Sequence, residues 1–253
     1  MPAHDGTMTA IPSGTAPAQC QPPTTMQFSG ILFDLDGTLI DTIPDLAGAA
    51  NAMRLDMGMT PISQDILATY VGKGMEQLVI RSLSHEGSPA GVDLVMRGLA
   101  RYTDHYRKLN GKHSRLYPGV LAGLQDFQAQ GMRLAVVTNK STEFAVPLLC
   151  QQGLTDFFEV IVCGDTCPRK KPDPMPLMHA CDLLGIRPVQ ALFIGDSIND
   201  ALAAEAAGMS MLALPYGYNE GNPVQSLPAN AIVASIIEAA RWAAETSSHT
   251  EHA

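Results

Sequence analysis

Basic residues are scarce in this chain: 16 Lys and Arg stand against 25 Asp and Glu, for a net charge of −9. No basic run is longer than Arg169-Lys170-Lys171. A protein with so few cations releases few phosphate counterions, which argues against an electrostatic nucleic-acid binder. Long apolar runs are missing too, since nothing approaches the ~18 consecutive apolar residues of a membrane-spanning helix. The first 27 residues contain no Lys or Arg and lead into no apolar segment, so a secretory signal is not expected. Cysteine is sparse and odd in number, at Cys20, Cys150, Cys163, Cys167 and Cys181. Only Cys163 and Cys167 lie close together, and no second pair completes a zinc-type spacing. Reduced thiols in a cytoplasmic protein are the expectation, with neither nucleic acid nor membrane as a partner.

What remains is an ordinary globular composition: 253 residues, 46% of them hydrophobic, enough for one or two domains with a real core. Residues 1–27 hold five prolines and no periodicity, which predicts a disordered leader and leaves Met8 or Met26 open as the start. The polar stretch 246–253 predicts a loose tail. Between them, short apolar runs stop at polar loops: Gly30 to Phe33, Leu134 to Val137, Val160 to Cys163, Ala191 to Ile194 and Met209 to Leu214. Runs of this length that do not alternate predict strands buried on both faces, as in a parallel sheet. Helix-length segments lie between them, Leu121 to Gln130, Thr142 to Gln152 and Ile198 to Ala207, each ended by glycine. Pro147 predicts a kink or an early end to the second. The fold expected is α/β, a doubly wound, Rossmann-like parallel sheet, with its site beyond the C-terminal strand ends. Residues 43–113 break the rhythm. They contain no strand run and show helical spacing at Leu46, Ala49, Ala50 and Met53, then at Leu78, Val79 and Leu83. A helical insertion at 43–113 therefore divides a core made of 28–42 and 114–245.

A parallel sheet would bring four separated groups of polar residues to one edge: Asp34 with Asp36, Thr138 with Asn139, Lys171, and Asp196 with Asp200. A carboxylate presented in line to a phosphoryl group is a competent nucleophile, and a second one can protonate the leaving oxygen and then activate water. Gly37 and Thr38 can aim N–H groups at phosphate oxygens. Asp34 and Asp196 offer hard oxygen ligands from different strand ends, which suits Mg2+. Such a cation offsets the repulsion between carboxylate and phosphate. Lys171 would supply a fixed ammonium to neutralise phosphate, and the Thr138 hydroxyl and Asn139 amide can donate to its oxygens. For Asp200 two readings stand: support of the site one helical turn from Asp196, or a charge on the following helix N-terminus.

The set Asp34-Leu35-Asp36-Gly37-Thr38-Leu39, Thr138-Asn139-Lys140, Lys171-Pro172-Asp173-Pro174 and Gly195-Asp196-Ser197-Ile198-Asn199-Asp200 resembles the four motifs of the haloacid dehalogenase-like hydrolases, over roughly residues 30–220. The insertion resembles the small cap of the phosphoglycolate phosphatase-like branch. Tyr70-Val71-Gly72-Lys73-Gly74 in the insertion, Cys163-Gly164-Asp165-Thr166 before the lysine and Tyr216-Gly217-Tyr218-Asn219 after the fifth strand also resemble that branch. The resemblance implies a Mg2+-dependent phosphatase or phosphomutase, because the dehalogenases of the superfamily lack the second Asp. It makes Asp34 nucleophile and metal ligand, Asp36 general acid/base and a carbonyl donor to the metal, Asp196 the third ligand, and Thr138 and Lys171 phosphoryl binders. Lys73 is either a contact to the substrate carboxylate or a solvated lysine. The substrate expected is a small phosphorylated metabolite, 2-phosphoglycolate first. A sugar-phosphate phosphatase, a hexose-phosphate mutase and a non-catalytic phospholigand-binding module are the alternatives. The chain is expected to be a monomer or a homodimer.

Overall fold

The computed structural model describes residues 28–248 except 86 and 88. The leader predicted at 1–27 lies outside the described residues, as does the tail from 249. The chain enters through β1 (Gly30–Phe33) and, after a tight turn, β2 (Ile40–Asp41). Four helices follow, α1 (Ile43–Asp56), α2 (Gln64–Ala68), α3 (Met75–Leu83) and α4 (Val92–Leu109), before β3 (Arg115–Leu116). Then come α5 (Val120–Ala129), β4 (Arg133–Val137), α6 (Thr142–Gln151) and β5 (Val160–Val162). The last elements are α7 (Met175–Leu184), β6 (Ala191–Gly195), α8 (Ile198–Ala207), β7 (Ser210–Ala213), β8 (Ala231–Ile232) and α9 (Ile236–Ser248).

Six strands form one sheet in the order β5-β4-β1-β6-β7-β8, and every pairing is parallel. Its apolar runs are buried on both faces because successive side chains point opposite ways. Ile31, Phe33, Val136 and Ile194 pack toward α5, α6 and α9. Leu32, Val137 and Phe193 pack toward α7 and α8. A third apolar cluster joins α1, α3 and α4 through Leu46, Met53, Val79 and Tyr102, among others. The chain crosses into these helices along β2 and back along β3, and the two pair antiparallel, Ile40 with Leu116 and Asp41 with Arg115. Asp45, fully buried, ties the return: its carboxylate accepts from the backbone N–H groups of Gly111, His113 and Ser114 and from the Ser114 hydroxyl.

Two local expectations need correcting. Helix α6 runs past Pro147 to Gln151, so of the two outcomes expected there the early end does not occur; one missing N–H is tolerated where Phe144, Ala145, Leu148 and Leu149 anchor the helix face. Helix α9 continues through residues 246–248, where a loose tail was expected. There the Thr246 and Ser247 hydroxyls donate to the carbonyls of Trp242 and Ala243 one turn back, so polar residues stay helical. Among the described residues no helix is long and apolar enough to cross a membrane.

Candidate active site

Each predicted group leaves the C-terminal end of a strand or the loop after one. Asp34 extends β1, and its N–H donates to the Ile194 carbonyl on β6 at 3.0 Å, so its position is set by the ladder itself. The chain then turns sharply through Gly37, whose φ of +93° is one that glycine adopts readily. A Cβ at Gly37 would meet Asp196 Oδ2 at 2.5 Å, and one at Gly217 would also strike the Asp196 carboxylate. The two glycines thus form a close-fitting cradle for Asp196. Inside it, Asp196 Oδ1 accepts from the Thr38 hydroxyl and Oδ2 from the Tyr218 N–H, both at 2.6 Å.

Lys171 is buried between two acids. Its Nζ lies 2.7 Å from Asp34 Oδ1, 2.7 Å from Asp200 Oδ1 and 2.7 Å from the Val137 carbonyl. Burial works against this ammonium, but Asp200 and Asp34 outweigh it and hold its pKa above the ordinary lysine value. Both readings of Asp200 hold at once. Oδ1 anchors Lys171, while Oδ2 accepts from the Ser197 N–H and hydroxyl and the Asp196 N–H at the start of α8. The oxygens of Asp34, Asp196 and Asp200 come within 4.8 Å of one another. Burial pushes the Asp34 carboxyl up to about 7 against the pull of Lys171. It also drives Asp196 well above the carboxylate range, with Asp200 and Asp34 adding to the effect.

Asp36 faces the same space from the other side of the turn. Its carboxylate binds Lys140 Nζ at 2.8 and 3.1 Å, and that ammonium lies 5.0 Å from the centre of the Tyr106 ring. Asp34, Asp36, Thr138 and Lys140 all line one cavity of about 50 Å3, closed on the far side by α1, α3 and α4.

Two predicted contacts fall elsewhere. The Asn139 amide was expected to donate to phosphate, but its N–H groups go to the Gly72 and Lys171 carbonyls, and its oxygen accepts from the Lys171 N–H. It fixes the backbone that carries Lys171. Lys73 turns away from the cavity to pair with Glu220 at 2.6 Å, beside Arg81, which binds the same carboxylate. Two cations on one acid outside the cavity leave Lys73 facing a protein carboxylate.

A sequence profile of the haloacid dehalogenase-like hydrolases matches residues 31–214. The chain belongs to that family. Curated phosphoglycolate phosphatases from Nitrosospira multiformis and Thiobacillus denitrificans are 47% and 45% identical to this hydrolase over 218 and 216 residues. Each match covers 85% of this chain, and 96% and 95% of those proteins respectively. The crystal structure of a predicted phosphoglycolate phosphatase from Haemophilus somnus superposes with a TM-score of 0.81 at 34% identity, covering 85% of this chain and 98% of that one.

In this haloacid dehalogenase-like hydrolase the donor set fits a divalent cation. Three carboxylates lie close together and buried, and the ammonium among them offsets one charge. Asp200 gives Oδ1 to the Lys171 ammonium and Oδ2 to three donors at the start of α8. Asp196 meets one neutral donor at each oxygen and Asp34 meets Lys171 at Oδ1, so Asp34 and Asp196 are the side chains that would hold a hard cation. Sequence reasoning gave no role to Lys140, although it directly follows Thr138-Asn139. A cation in that triplet, at a strand end opposite two acids, was the available signal. It also gave Thr38 only its N–H; the side chain steadies Asp196 instead.

Proposed function

We propose that this phosphatase hydrolyses 2-phosphoglycolate to glycolate and phosphate, with Mg2+, through an aspartyl-phosphate on Asp34. The observation that carries the reading is the placement of Lys171 Nζ 2.7 Å from Asp34 Oδ1, with Asp36 opening on the same cavity. Nucleophile and proton carrier thereby face one anion-sized space, with the ammonium bound to an oxygen of the nucleophile. The choice of ester is supported by the relatives named above.

The Asp34 carboxylate attacks phosphorus, and the bond to the leaving alkoxide oxygen breaks as Asp36 gives that oxygen its proton. Asp36, now a carboxylate, takes a proton from the water that attacks the phosphoryl-aspartate. Asp34 and inorganic phosphate are released. Lys171 faces the phosphoryl oxygens, and Asn139 keeps Lys171 in register. Lys140 fixes the orientation of Asp36. Mg2+ held by Asp34 and Asp196 would supply positive charge against phosphate and the transition state. Enzymes accelerate phosphate-monoester hydrolysis by up to ~10^21-fold, more than one of these groups can provide alone.

The test is phosphate release from a panel of small phosphomonoesters, with Mg2+ and with EDTA. Preference for 2-phosphoglycolate, abolished by EDTA, is the expected result. Isomerisation of hexose phosphates with little phosphate released would replace the reading with a mutase. Inertness toward every ester would leave only a binding module.

A further inference from the structure

Resting on the phosphatase reading above, we infer that the Tyr102 and Tyr106 hydroxyls form the subsite that receives the carboxylate of the leaving group. They are buried donors with nothing to donate to among the described residues. Tyr102 is 0% and Tyr106 2% exposed, and neither hydroxyl meets a hydrogen-bond partner among the described residues. A hydroxyl taken from water and left unpaired is disfavoured, and folded proteins keep few of them. Here two lie one helical turn apart on α4, on the same face, with ring centres 5.5 Å apart.

Their location gives the pair a use. Both residues line the cavity that contains Asp34, Asp36 and Thr138. Asp34 and Thr138 take the phosphoryl end, so α4 lines the end toward the rest of the ester. The other linings contributed by the helices and loops of 43–113 are apolar or glycine, such as Leu46, Val71, Met75 and Leu78. Among the described residues the two phenols are therefore the polar side chains that this segment offers the leaving group.

The chemistry favours an anion of small size. Burial above all, with Asp36 acting on both phenols, pushes them well above their ordinary range, so they stay protonated and can only gain by meeting an acceptor. Lys140, over the Tyr106 ring, adds positive charge nearby. The cavity's volume of about 50 Å3 has room for about four water-sized groups. That suits the remainder of a two-carbon acid and not a hexose ring.

Tyr102→Phe and Tyr106→Phe each remove one oxygen and keep the ring. The measurement is kcat/KM for 2-phosphoglycolate and for ethyl phosphate, which has the same carbon skeleton without the carboxylate. The ratio of the two should fall about tenfold in each variant and further in the double variant, mostly through KM. Glycolate inhibition gives a second readout in the single variants: its Ki should rise about fivefold or more. Both readouts unchanged, while the wild type still prefers 2-phosphoglycolate, overturn the subsite and leave the phosphatase reading standing. A wild type that hydrolyses neither ester overturns both. A double variant that does not fold, beside folded single variants with wild-type ratios and Ki, also overturns the subsite.

Discussion

At the C-terminal rim of the sheet, buried charges come with partners. Lys171 has two carboxylates and a carbonyl, Asp196 a hydroxyl and an N–H, and Asp200 an ammonium and the start of α8. Across the cavity, on α4, two buried hydroxyls have none among the described residues. The rim is built before any ligand arrives, because four strand ends and their loops set it. The wall is complete only when something sits against it. Chemistry common to many phosphate esters belongs to the rigid side, and discrimination between them to the unsatisfied side.

The strongest way to break the rim is Asp34→Asn. An amide cannot attack phosphorus, and turnover should fall by at least ~10^4-fold with the fold retained, as checked by phosphate release beside circular dichroism. Activity near wild type would remove Asp34 as nucleophile. Next is Lys171→Met, which leaves Asp34 and Asp200 buried without their cation. It should cost about 3–5 kcal/mol in urea unfolding, as well as activity; a loss below about 1 kcal/mol would show the two acids simply neutralising themselves.

Acidity sharpens the same contrast. The folded protein holds the Asp34 proton up to about 7, far above its ordinary 3.8, so it binds more protons than the unfolded chain in between. The stability this proton gives is full below the ordinary value and is lost as pH rises through about 7. A divalent cation competes for the same oxygens, so its stabilisation should grow with pH. Saturating Mg2+ should raise the unfolding temperature by about 5–10 °C at pH 8 and by clearly less at pH 5.5. Equal increments at both would argue against binding at Asp34. The smallest effect expected is that of Lys73→Ala. Its partner Glu220 keeps Arg81, so KM for 2-phosphoglycolate should change less than about twofold and stability by less than about 1 kcal/mol. A tenfold rise in KM would return Lys73 to the substrate.

The sheet was legible where its strands were long enough to speak. Gly30 to Phe33 and Ala191 to Ile194 are continuous apolar runs because helices cover both faces. The two-residue strands β2, β3 and β8 are too short for any periodicity to mark them. Asp34, Asp196 and Lys171 could be found because several polar groups follow buried strands and a parallel sheet brings those strand ends to one edge, although any one of them alone could be an ordinary polar turn. Lys171 pairs with Asp34 and Asp200, and oxygens of Asp34, Asp196 and Asp200 lie within 4.8 Å of one another. The contacts of Asn139 and Lys73 were not legible. Each depends on where a loop distant in sequence comes to rest, Gly72 for one and Glu220 for the other. Tyr102 and Tyr106 carry ordinary helical spacing, which cannot tell a packed ring from one whose hydroxyl awaits an acceptor.

The short ladder joining Ile40–Asp41 to Arg115–Leu116 has a modular consequence. Everything between departs and comes back through one seam, so the spacing of the two splice points does not depend on how many residues lie beyond them. A foreign segment of different length could be joined at the same two points, leaving the strands that carry Asp34 and Asp196 connected as they are now.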